Sequence, residues 1–147
     1  MAQFHFSLDK VLRWRSLELA GEEVKLERLL REQLRLQTMR ADLSTEKSNL
    51  DRSLDTLPDL RGADLRAVHV HSLSLKRQAE NLLRLVAKCD RDLAEQKKLY
   101  RAAKQRFRLL EELRARKFEE WRREQAREQE TLATESYLAI WNRGTGL

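Results

Sequence analysis

Apolar side chains recur along the second half of the chain with the spacing of a coiled coil. Thirteen positions between residues 68 and 110 are separated alternately by four and three residues, and 11 of them are apolar. Such a stripe packs one helix against another. We therefore predict a long helix over about residues 64–142. The stripe consists of Val68, Ser72, Leu75, Ala79, Leu82, Val86, Cys89, Leu93, Gln96, Tyr100, Ala103, Phe107 and Leu110.

The first half of the chain carries a less regular version of the same pattern. Ser7 has the side chain of a good helix N-cap, and no proline follows it before Pro58. A helix over about residues 8–57 is therefore predicted. One seven-residue series contains only leucine, whereas the other becomes polar in its middle, so we expect an imperfect seam. The series are Leu29, Leu36, Leu43, Leu50 and Leu57, and Leu12, Leu19, Leu26, Gln33, Arg40, Lys47 and Leu54.

One break separates the two halves. Pro58 lacks a backbone N–H and biases the residue before it away from helix, and Gly62 follows closely. We place a single turn at about residues 58–63. The chain 1–147 is then one all-α domain, a hairpin of two long antiparallel helices that form a coiled coil. In this register Leu36 lies near Leu85, and Leu12 lies near Leu109.

The second helix is longer than the first and should overhang it. The start of the first helix meets the second at about residue 113, and the apolar register slips between Phe107 and Phe118. Residues past about 118 are therefore expected to be unpaired, with Trp121 outside the paired part. Aromatic side chains on an unpaired helix indicate a missing partner. They are Phe118, Trp121, Tyr137 and Trp141.

Composition argues against an enzyme. Charged residues make up 37% of the chain, which has only 4 glycines and 1 proline, so little loop remains to hold a catalytic site. His69 and His71 are two residues apart, whereas helical zinc motifs need a spacing of four. Cys89 belongs to the apolar stripe and is expected to be a buried apolar side chain. We expect no catalytic residue, metal or cofactor.

Charge and hydropathy suggest where the protein works. The net charge is +6, and residues 58–110 alone hold 13 basic and 6 acidic side chains. Such a stretch attracts acidic partners or nucleic acid, although a solvated helix face is the simpler interpretation. No signal peptide or membrane-spanning stretch is visible. We therefore expect a soluble, cytoplasmic protein.

Both ends of the chain resemble one known family. The opening Phe4-His5-Phe6-Ser7-Leu8-Asp9-Lys10-Val11-Leu12-Arg13-Trp14-Arg15 looks like the F-x-F-x-L-x-x-V-L-x-x-R start of FliJ proteins. The run from Leu110 to Arg127 is similar to the C-terminal helix of that family. One departure is visible, because Ala133-Thr134-Glu135 stands where many members carry an Asp-Glu pair.

The resemblance implies a non-enzymatic component of the flagellar type III export apparatus, similar to the central stalk of rotary ATPases. Such a protein docks a terminal end into the hexameric export ATPase and stimulates it. It also contacts the cytoplasmic domain of the export gate, which places it at the membrane-associated apparatus, and it escorts export chaperones. The matching partner-binding positions are Phe4, Phe6, Leu8, Val11, Leu12, Arg15, Leu110, Leu113, Phe118, Trp121, Arg122 and Glu124.

Two other functions remain open. A coiled-coil adaptor unrelated to export would dimerise through the overhang, whereas a stalk is expected to be a monomer when free. A nucleic-acid-binding coiled coil would use the basic stretch 58–110 and bind less tightly as salt rises. That stretch offers few aromatic side chains for stacking, with only Tyr100 and Phe107, and both belong to the apolar stripe. No nucleic-acid partner is therefore expected.

Overall fold

Two long helices make up the structure. The computed structural model describes residues 2–56 and 62–146, in which α1 runs over Asp9–Thr56 and α2 over Gly62–Thr145. No strand occurs in these two described ranges, and the helices pack against each other, which confirms the predicted all-α hairpin. Most of the turn predicted at 58–63 lies outside the described residues, although Gly62 and Ala63 already belong to α2.

The contacts within the chain fall into two units. The middle unit is Ala20–Ala102, and the end unit combines Met1–Leu19 with Ala103–Leu147. In both units the two segments run in opposite directions, so residue numbers rise along the first segment as they fall along the second. In the middle unit Glu22 contacts Gln96 and Glu46 contacts His71. The two helices are therefore antiparallel there, as predicted.

The core of the middle unit is the predicted apolar seam. Leu36 of α1 is buried together with Leu82, Cys89 and Leu93 of α2. Every fully buried residue of α2 in the described ranges is a member of the stripe between residues 68 and 110. Burying one such leucine contributes about 1.5–3 kcal/mol, so this short seam accounts for much of the stability of the pair. The side chains packed around it are Leu26, Leu29, Leu43 and Val86.

One polar contact fixes the register of the seam. Gln96 is 7% exposed, and its Nε2 donates hydrogen bonds to the backbone oxygen of Glu22 at 3.1 Å and to the Glu22 carboxylate. Nearby, the Cys89 thiol lies 3.7 Å from the Leu29 carbonyl oxygen. A buried polar side chain that finds its partner in only one alignment disfavours slipped pairings. These contacts lie within one helical turn of the register predicted from the sequence.

The end unit begins before α1 does. Residues 2–6 form no regular element, and α1 is entered through hydrogen bonds from Asp9 N to Phe6 O at 3.1 Å and from Leu12 N to Leu8 O at 2.9 Å. Leu8 therefore takes the N-cap position that the sequence assigned to Ser7, since its carbonyl accepts the first helical bond. Phe6 is buried, which ties this segment to the unit.

Candidate functional site: an aromatic cluster and an exposed helix tail

Three aromatic rings from the two ends of the chain meet in the end unit. The Phe4 ring centroid lies 5.2 Å from that of Phe118 in an edge-to-face arrangement and 5.9 Å from that of Trp121. Phe118 and Trp121 stack at 5.8 Å, and the Arg114 guanidinium lies 5.6 Å from the Phe4 ring centroid. These separations are those of favourable ring pairs. We call Phe4, Phe118 and Trp121 the aromatic cluster.

The aromatic cluster corrects where the overhang begins. The sequence placed Phe118 and Trp121 on an unpaired helix, but both contact Phe4, and Trp121 is half-buried. The prediction ended the partner segment at the first helical residue, whereas the non-helical residues before α1 also reach α2. The apolar register of α2 slips between Phe107 and Phe118, and the residue at which the apolar side chains resume, Phe118, contacts the non-helical segment rather than α1.

The other predicted site residues do not form one surface. Leu8, Val11 and Glu124 are exposed, whereas Leu12, Leu110 and Leu113 are half-buried. Two charged residues make ion pairs. Arg15 forms an ion pair with Glu18 at 2.9 Å, and Glu18 forms a second ion pair with Arg106 of α2 at 2.8 Å. Arg122 lies 3.7 Å from Glu119 of its own helix.

Beyond the aromatic cluster, α2 continues as a tail. Residues 126–145 are helical and all of them are exposed, so we call this segment the α2 tail. Leu132 is 61% exposed, Tyr137 69% and Trp141 59%. At 100° per residue, Tyr137, Ile140 and Trp141 fall on one face, with Leu138 at its edge. The α2 tail thus presents an apolar face that the described residues leave uncovered.

The FliJ-like motif missed this apolar face. The residues carried over from the resemblance end at Glu124, before the tail begins. The signal that could have found the face is the i, i+3, i+4 spacing of Tyr137, Ile140 and Trp141, which is the spacing of helices that lie in grooves. Aromatic residues such as tryptophan and tyrosine are frequent interface anchors, so this face is the strongest candidate for partner binding.

A second exposed apolar stripe lies at the start of α1. Val11, Trp14 and Leu17 follow one another at a spacing of three, and all are exposed. The Arg15 guanidinium lies 4.5 Å from the Trp14 ring centroid, which is within the range of a cation–π contact. Of the three stripe residues, only Val11 was among the predicted site residues. This stripe therefore adds Trp14 and Leu17 to the candidate surface of the end unit.

Metal-binding and nucleophilic side chains are the next candidates for a chemical site. Within residues 2–56 and 62–146, no group of three or more His, Cys, Asp or Glu side chains is placed to hold a metal ion. Cys89 is buried, and burial raises the pKa of its thiol, with smaller contributions from Asp90, Glu32 and Asp92. The thiol is therefore protonated at neutral pH and a poor nucleophile.

No family model, curated protein or solved structure matches the chain. Neither described helix contains an apolar stretch long enough to cross a membrane. The exposed apolar surfaces of the end unit are therefore the best indication of a function. They are the α2 tail and the stripe at the start of α1, separated in sequence but assigned to one unit by their contacts.

Proposed function

We propose that this protein is a non-enzymatic, FliJ-like component of a flagellar export apparatus that docks its α2 tail into the export ATPase. The observation that carries the proposal is the uncovered apolar face of the tail, which holds Tyr137, Ile140 and Trp141. It lies at the end of the chain that the family resemblance assigns to docking. In this proposal the protein works at the membrane-associated export apparatus, where it also meets the export gate and export chaperones.

Docking of the tail would supply part of the free energy of a specific complex. Each large apolar side chain that becomes buried contributes about 1.5–3 kcal/mol, and three of them lie on the exposed face. Association itself costs several kcal/mol. A dissociation constant on the order of micromolar corresponds to about 8 kcal/mol, so the other exposed residues of the end unit must add contacts. A tail that binds one conformation of the ring better than the others would raise ATP turnover by shifting that population.

The aromatic cluster has a supporting part in this proposal. An isolated helix of about 20 residues is only marginally stable in water, and the tail has that length. Contact of Phe4 with Phe118 and Trp121 holds the helix in place just before the tail starts. These rings, with Phe6 and Arg15, position the tail, while Val11, Leu8 and the other exposed residues of the motif extend the contact surface.

Binding to the flagellar export ATPase of the same organism tests the proposal. Ile140→Ala and Trp141→Ala should weaken binding about tenfold or more each, because each removes an apolar side chain worth at least 1.4 kcal/mol at the interface. The matched control is Leu34→Ala, since Leu34 is exposed to nearly the same degree, 64%, but belongs to the middle unit. The unmodified protein and the control should both raise ATP turnover. Absence of binding at micromolar concentrations would overturn the proposal.

The same apolar face supports one alternative, a self-dimerising adaptor. Two copies that pair their tails would cover Tyr137, Ile140 and Trp141 without any ATPase. Light scattering after gel filtration separates the two functions, because the adaptor dimerises as concentration rises and loses its dimer in Trp141→Ala. A monomer across the same range, together with ATPase binding, supports the export component.

A further inference from the structure

The middle unit contains an apolar groove that the proposed docking of the tail does not use. The groove encloses about 450 Å³ between α1 and α2, a volume typical of binding sites in proteins. Its walls are Leu43 and Leu50 of α1 and Leu75, Leu82 and Val86 of α2. Leu83, which is exposed, lies at its edge.

The groove exists because the seam side chains along its length do not fill the space between α1 and α2. On α1 the seam positions between the leucines are Arg40 and Lys47, whose charged ends stay in water, and both residues are exposed. On α2 the corresponding positions are Ser72 and Ala79, which are too small to fill the space and are also exposed. Leucine at such positions would have closed the seam, as in the better packed stretch around Leu36.

The rim of the groove is mainly cationic. Arg40, Lys47 and Lys76 line it, and Asp51 is the only acidic residue among its lining residues. The charge is specific to this side of the helix pair. A cavity of about 330 Å³ between the same two helices is lined by Asp42 and Glu46 and by no lysine or arginine. The two sides of the pair therefore attract partners of opposite charge.

The lining residues also follow the spacing of a helix-binding surface. The seam positions among them are 40, 43, 47 and 50 on α1 and 72, 75, 79, 82 and 86 on α2, and the remaining lining residues, Ser44, Asp51, Lys76 and Leu83, flank these positions. These are the seam positions that a third helix contacts when it packs onto a two-helix coiled coil. The α1 lining from Arg40 to Asp51 covers about three helical turns, roughly 17 Å. A strip of that length fits a helix better than it fits a compact small molecule.

We propose that this groove docks an amphipathic helix of a partner protein, with its apolar face against Leu43, Leu50 and Leu83 and acidic side chains along its flanks. The acidic flanks would meet Arg40 and Lys47 on one rim and Lys76 on the other. The partner helix completes a local three-helix bundle and fills the space that Ser72 and Ala79 leave open. The inference is independent of the ATPase, because none of the groove residues belongs to the tail.

A pair of designed peptides tests the charge preference. Both are helical 18-residue peptides with leucine at the seam positions, and one carries glutamate on its flanks while the other carries lysine. Fluorescence anisotropy of the labelled peptides with the full chain should show the acidic peptide binding about tenfold or more tightly at 50 mM salt. The double variant Lys47→Glu/Lys76→Glu should reverse that preference. Lys97→Glu is the control, since Lys97 is exposed outside the groove, and it should leave the tenfold preference in place.

A substitution that fills the groove tests whether the peptide binds there. Ala79→Leu should abolish binding of the acidic peptide while the protein melts at the same or a higher temperature, because the new side chain occupies the open seam. Unchanged peptide binding in Ala79→Leu would place the site elsewhere and overturn the proposal. Equal binding of the two peptides, or binding of dodecanoate without binding of either peptide, would overturn it as well. Because peptide binding is measured on the isolated protein, none of these outcomes depends on whether the ATPase binds.

Discussion

Two stretches of α2 carry large apolar side chains at helical spacing, but only one of them is covered. In the first stretch Leu82, Cys89 and Leu93 face α1 and are 3–5% exposed. Between Leu132 and Trp141 the large apolar side chains face no described segment and are about half exposed or more. The periodicity of a helix therefore shows which side chains share a face. It does not show whether that face is already occupied, which depends on how far the opposite segment reaches.

This difference separates stability from binding within one helix. The covered stretch contributes to folding, because its apolar surface leaves water when α1 packs onto it. The uncovered stretch keeps its apolar surface in water, where only a partner can bury it. Exposed apolar patches of this kind are typical of interaction sites. Substitutions in the first stretch should then change unfolding, and substitutions in the second should change binding.

The largest difference is expected for the same substitution in the two stretches. Leu82→Ala should lower the free energy of unfolding by about 2–5 kcal/mol, since it opens a cavity beside Leu36 and Leu93. Leu132→Ala should change it by less than about 0.5 kcal/mol, as exposed substitutions usually do. Urea denaturation followed by circular dichroism at 222 nm measures both. A loss of 2 kcal/mol in Leu132→Ala would show that this part of the tail is covered after all.

The buried polar contact should give the next largest effect. Gln96→Ala removes the donor that satisfies Glu22, so about 1–3 kcal/mol of stability should be lost. The exposed Gln129 of the α2 tail provides the matched control, and Gln129→Ala should leave urea denaturation nearly unchanged. Equal stability of the two variants would mean that the Glu22 contact contributes nothing to the stability of this register.

The sequence predicted the middle unit better than the end unit for a physical reason. Alternating steps of four and three residues are regular only where two helices face each other, so the seam through Leu82, Cys89 and Leu93 could be predicted, and the structure confirms it. Phe4 lies in a non-helical segment that has no periodicity, so nothing in the pattern placed it against Trp121. Arg40 predicted an imperfect seam, but the volume of the resulting groove depends on how closely the helices approach.

Trp121→Ala tests where the covered part of α2 ends. The sequence placed Trp121 outside the paired part, where its removal would leave melting unchanged. Its contacts with Phe4 and Phe118 instead predict a loss of about 0.5–1.5 kcal/mol from the broken ring pairs. Differential scanning calorimetry should show a lower melting temperature than for Trp141→Ala, the matched change in the tail. If both variants have the same melting temperature as the unmodified protein, the covered part of α2 ends before residue 121.

The smallest expected change in global stability comes from glycine in the tail, and it tests whether the tail unfolds on its own. Ala103 is buried and Ala139 is exposed on the same helix. Glycine costs a helix about 1 kcal/mol relative to alanine at either position. Ala103→Gly should lower the free energy of unfolding by at least that amount, because α2 is helical there only in the folded protein. Ala139→Gly should reduce the ellipticity at 222 nm but shift the urea transition by less than about 0.5 kcal/mol, since an uncovered segment frays before the rest unfolds. If Ala139→Gly shifts the transition as far as Ala103→Gly, the tail folds cooperatively with the rest of the chain. Its apolar face would then already be buried, by a second copy or by another segment, and could not be the free docking surface.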